Sequence, residues 1–83
     1  MKFRKRPIVV DAFQWNGERP LPAPLEEYRD AYDLPVKDKS VINTLEGRLL
    51  VSKGDWVIRG VRGEYYSCKP DIFEQTYQKV KNR

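Results

Sequence analysis

Hydrophobic and polar positions change period several times along the chain, and each change predicts a different element. Residues 8–15 (IVVDAFQW) are mostly β-branched or aromatic. Alternation puts Val9, Phe13 and Trp15 on one face and Ile8, Val10 and Ala12 on the other, the mark of a strand covered on both sides, with Asp11 as a polar interruption. Residues 16–24 (NGERPLPAP) hold three prolines and one glycine, which forbid a regular ladder or a helix interior. From Leu25 to Tyr32 the spacing lengthens: Leu25, Tyr28 and Tyr32 recur at three and four residues among Glu26, Glu27, Arg29 and Asp30, which predicts a short amphipathic helix ended by Leu34-Pro35.

The second half reads as strands joined by tight turns. Ser40–Leu45 and Arg48–Ser52 flank Glu46-Gly47, a length that suits a two-residue hairpin turn. Lys53-Gly54 turns the chain into Asp55–Arg59, and Gly60-Val61-Arg62-Gly63 turns it again into Glu64–Lys69, so the succession predicts an antiparallel meander. Pro70-Asp71 opens a helical turn with Ile72, Phe73 and Thr76. Asp71 and Glu74 stand at capping-box spacing. Residues 78–80 are open between helix and edge strand. Together these elements predict one α+β domain over residues 1–83: a twisted antiparallel sheet of roughly five strands, with the helix near residues 25–32 packed on one face and a short C-terminal helical turn.

Length and composition limit what such a domain does. An 83-residue chain builds one small core, because chains of this size bury only about 60% of their unfolded surface. A surface groove is therefore expected rather than a deep cleft. Apolar residues make up 40% and charged residues 34%, which suits a folded soluble domain; the apolar ones are too scattered to span a membrane. A single cysteine, Cys68, rules out an internal disulfide and fits a reducing compartment, so a cytoplasmic location is expected. The absence of histidine removes the commonest general base and metal ligand. The expectation is a protein without catalytic residues, metal or cofactor.

The net charge of +4 gathers at the chain ends, with Lys2, Arg4, Lys5 and Arg6 at one and Lys79, Lys81 and Arg83 at the other. Such a balance favours anionic partners and equally serves solubility. Arg4-Lys5-Arg6 reads either as an electrostatic arm or as a solubilising terminus. Glu26, Glu27, Asp30 and Asp33 read as a solvated helix face rather than a cation site. Asp55, after a turn, and Asp71, at a helix start, are expected to be structural.

The stretch GDWVIRGVRGEYYSCKPDIFEQTY (residues 54–77) carries the candidate chemistry. Arg59, Arg62 and Lys69 surrounding Tyr65 or Tyr66 would suit an anionic ligand with a flat base, since arginine grips phosphate bidentately and rings accept stacked bases. Which tyrosine sits beside Arg59 depends on a register that the sequence does not give. Trp15, at a strand end beside the proline-rich loop, joins the candidate set if it is exposed; otherwise it anchors the core with Trp56. Gly60–Gly63 also fits the GXXG pattern of KH domains, but strand patterns flank it and hairpin geometry explains both glycines better.

The segments FRKRPIVVDAFQW, TLEG and GDWVIRGVRGEYYSCKPDIFEQTY resemble a family of small bacteriophage and prophage proteins, leaving only about residues 17–39 unmatched. The C-terminal half is also similar to the family named after a PGDYG motif, although Lys53, Trp56 and Val57 depart from that motif. The resemblance implies a setting rather than a mechanism: small phage proteins that act by binding. Within that setting the leading expectation is a cytoplasmic homo-oligomer that sequesters a nucleotide-type signal of host immunity, oligomerisation being expected because the core is small. The alternatives are a protein–protein inhibitor of a host defence or metabolic enzyme, using the same hairpin, and a weak nucleic-acid-binding module.

Overall fold

The computed structural model describes residues 1–3 and 7–80. The Arg4-Lys5-Arg6 run and residues 81–83 lie outside the described residues. Six strands and one helix follow in order: β1 (Asp11–Gln14), β2 (Glu26–Arg29), β3 (Pro35–Thr44), β4 (Gly47–Ser52), β5 (Trp56–Arg59), β6 (Tyr65–Cys68) and α1 (Pro70–Thr76). They form two three-stranded antiparallel sheets, one ordered β1-β5-β6 and the other β2-β3-β4. The expected single sheet of about five strands with a packed helix is therefore corrected to two sheets and one helix of 7 residues.

The predicted helix over 25–32 is where the reading departs most. Glu26–Arg29 is instead β2, paired with β3 through Glu26 opposite Val41 and Glu27 opposite Ser40. The three-and-four spacing is not one apolar stripe: Leu25 is buried at 6% exposure, whereas Tyr32 is 85% exposed. Asp30 then supplies the turn. Its carboxylate accepts the N–H groups of Tyr32 (2.8 Å) and Leu34 (3.1 Å), and Asp33 takes φ 61°. A short acidic side chain that satisfies its own turn competes with a helix and here returns the chain as β3.

The meander breaks between β4 and β5. Asp55 is buried, and its carboxylate accepts the Ser52 N–H (2.9 Å) and the Lys69 ammonium (3.1 and 3.0 Å). Gly54 takes φ 93° and donates its N–H to the Trp15 carbonyl (2.7 Å), while the Trp15 N–H reaches the Asp55 carbonyl (3.0 Å). The turn at 52–55 thus hands the chain to β1 instead of folding it back on β4. The β3–β4 hairpin holds, displaced by one residue: Thr44 pairs with Gly47, Leu45-Glu46 form the turn, and Gly47 opens β4 with φ 126°.

The core lies between the sheets, where Trp15, Leu25, Ile42, Val51 and Val57 pack together with Phe13, Leu21, Leu49 and Tyr65 against them. Residues paired across antiparallel strands share a face. Phe13 and Val57 therefore point to the core with Ser67, whereas Gln14, Trp56 and Cys68 face the other way. On that outer face sits α1, with Phe73 stacked on Trp56 (centroids 4.0 Å apart, planes 6° apart) and Tyr77 stacked on Phe73 (4.9 Å). The helix begins at Pro70 after Lys69 without a side-chain cap, so the expected Asp71–Glu74 capping box does not form. Gln78 to Val80 are neither helix nor strand. Among the described residues, no helix is long and apolar enough to cross a membrane.

Candidate functional site

The β5–β6 hairpin sets its geometry through glycine. Gly63 takes φ 81°, the Gly63 N–H bonds the Gly60 carbonyl (3.0 Å), and the Gly60 N–H bonds the Glu64 carbonyl (2.8 Å). Glu64 folds back over this turn: its carboxylate accepts the Arg62 N–H (2.9 Å), and a Cβ built at Gly60 would overlap its carboxyl group. Only hydrogen at position 60 leaves room for that arrangement.

The register answers which tyrosine accompanies Arg59. Asp11, Arg59 and Tyr65 stand opposite one another across three strands and share a face, while Tyr66 stands opposite Ile58 on the other. Arg59 is exposed, with its guanidinium against Gly63, and Tyr65 is half-buried against the core. Arg62 is exposed at the tip. Neither arginine has a carboxylate within ion-pair distance among the described residues, unlike Arg19 and Arg29, which pair with Glu27 at 3.2 and 3.0 Å.

Three of the candidate residues lie elsewhere. Lys69 is at the opposite end of β6, about 13 Å along the strand from Tyr65, and its ammonium is held by Asp55. Asp55 thus has the structural role expected of it. Trp15 is 2% exposed at the centre of the core and donates its ring N–H to the Glu18 carbonyl (3.3 Å), so it offers no face to a ligand. Tyr66 shares a 3.2 Å hydroxyl–hydroxyl hydrogen bond with Tyr77. That bond, with burial behind it, pushes its pKa up from 10.0 to about 12. The assembled set is therefore Arg59, Arg62 and Tyr65.

On the Tyr66 side lies a groove of about 520 Å³; a surface groove is expected, but not these lining residues. Pro7 to Val10, the Gly60-Val61 turn with Glu64, Tyr66, Thr76 to Gln78 and Val80 line it. The signal for it was the apolar run Ile8-Val9-Val10, read as strand; only residues from Asp11 onward are paired. Among the described residues, no group of three His, Cys, Asp or Glu side chains is placed to hold a metal ion. Comparison with protein-family models, with curated proteins and with solved structures returned no match to this chain.

Proposed function

We propose that the protein acts by binding, without catalysis, and that the tip of the β5–β6 hairpin takes an anionic ligand of nucleotide type. The observation that carries this reading is the pairing of Arg59 with Tyr65 in register, next to Arg62, with no carboxylate within ion-pair range of either guanidinium among the described residues. Two forks with free donors bind phosphate oxygens bidentately, and a half-buried ring beside them offers an edge or face to a base. The likeness to small phage proteins supports a role in sequestering a nucleotide signal of host defence, carried out in the bacterial cytoplasm.

Calorimetric titration with a panel of mononucleotides and cyclic dinucleotides tests the reading. A micromolar ligand is expected, with affinity falling as salt rises because the contacts are charged. Arg59→Ala and Arg62→Ala each lower that affinity, by about tenfold, while Lys69→Ala leaves it unchanged. Full affinity in both arginine variants removes the hairpin as the site. Salt-independent capture of a protein that depends on exposed apolar side chains would move the assignment to an inhibitor of a host enzyme.

A further inference from the structure

Across β1, β5 and β6 the order is carboxylate, guanidinium, ring: Asp11, Arg59 and Tyr65 stand opposite one another on one face. Adjacent strands are about 4.8 Å apart, so Asp11 and Tyr65 flank Arg59 and stand about 10 Å from each other along the row. Asp11 is the one acid in these three strands. It is exposed, and it has no cation within ion-pair distance among the described residues, although Arg59 is its direct neighbour. The guanidinium lies against Gly63 instead, in the turn that carries Arg62. Glu64, the other acid nearby, lines the Tyr66 face and has its carboxylate on the Arg62 N–H.

A carboxylate beside an anion site selects by charge. A phosphate monoester carries about −1.5 to −2 charge at pH 7, whereas a phosphodiester carries a single negative charge. A nucleoside mono- or triphosphate with its base at Tyr65 and its phosphate on the arginines ends in the larger charge beside Asp11, and is repelled. A phosphodiester continues past the phosphate into a second nucleoside. The ribose hydroxyls and base N–H groups of that second half are donors, which the Asp11 carboxylate accepts.

We infer that Asp11 is the specificity-determining residue of this surface and that the ligand is a dinucleotide: one base at Tyr65, a phosphodiester on Arg59 and Arg62, and the second nucleoside donating to the Asp11 carboxylate. This assignment rests on the reading of the hairpin tip as an anion site and adds to it the ligand's length, its charge and a third contact. Without Asp11 the row would favour the most highly charged phosphate. With it, the diester is preferred.

Calorimetric titration in EDTA, which keeps divalent cations from bridging carboxylate and phosphate, tests the assignment. The probes, in an adenine and a guanine series, are the nucleoside 5′-monophosphate, the 5′-triphosphate and the 3′,5′-linked dinucleoside monophosphate. Wild-type protein is expected to bind the dinucleoside monophosphate of one series about tenfold more tightly than the mono- or triphosphate. Asp11→Asn keeps the size of an exposed side chain and removes its charge. It raises affinity for the triphosphate by about fivefold, lowers that for the dinucleoside monophosphate by about threefold and leaves the melting temperature unchanged. Asp11→Glu keeps the wild-type order, and Arg59→Ala weakens all three probes. Equal or tighter binding of the triphosphate by wild-type protein, or the wild-type order of affinities in Asp11→Asn, overturns the assignment of Asp11 and leaves the hairpin as an anion site. No Arg59-dependent binding of any probe overturns both.

Discussion

Asp55 is the buried charge at the turn where the chain changes sheets. With its side chain 5% exposed, it holds the Ser52 N–H and the Lys69 ammonium at once. Asp55→Ala leaves the Ser52 N–H without its acceptor and opens the 52–55 turn, while the exposed Lys69 ammonium turns to water, at an expected cost of about 2 kcal/mol in urea denaturation. Lys69→Met costs less, because that ammonium stem is 59% exposed and the Ser52 N–H still meets the carboxylate. Tyr66 gives a second test at this scale. Its folded pKa is raised, so the stability it contributes is fully present below about pH 10 and is lost as the pH climbs through 12. Tyr77→Phe removes the leading cause of the shift, and ultraviolet difference absorbance should then show the Tyr66 phenol ionising closer to pH 10. Gly63→Ala forces a side chain into φ 81° and is expected to cost about 1 to 2 kcal/mol.

At the scale of elements, α1 has only 7 residues and no side-chain cap, so it is too short to hold itself. The stack Trp56–Phe73–Tyr77 fixes it to the sheet instead. Phe73→Ala is expected to lower stability by about 2 kcal/mol and to diminish the near-ultraviolet circular dichroism of Trp56. The hairpins were legible in the sequence because glycines at 47, 54, 60 and 63 punctuate runs of Val, Ile, Leu and Tyr. The β2 segment was not. Leu25, Tyr28 and Tyr32 imitate helical spacing, and only the Asx turn at Asp30 and the burial of Leu25 alone among the three decide for a strand. Part of the candidate site was legible on the same terms. Arg59 and Arg62 stand out beside two glycines, but strand register decides that Tyr65 rather than Tyr66 accompanies Arg59. Lys69 left the set because the partner that claims it, Asp55, lies fourteen residues earlier in the chain.

At the scale of the molecule, one small core between two sheets supports two surfaces of different character on opposite faces of one hairpin. The core depends heavily on Trp15, which is 2% exposed where both sheets meet. Trp15→Ala is expected to cost about 3 to 5 kcal/mol, a large share of what a domain of this size has. The central claim concerns the face that carries Arg59 and Tyr65. Amide chemical-shift mapping by two-dimensional NMR, with ATP and a cyclic dinucleotide as probes, tests it most directly. The account predicts saturable shifts confined to residues 59–65 and the neighbouring Asp11, lost in Arg59→Ala. Shifts that gather along residues 7–10 and 76–80, or no saturable shift with either probe, would contradict it.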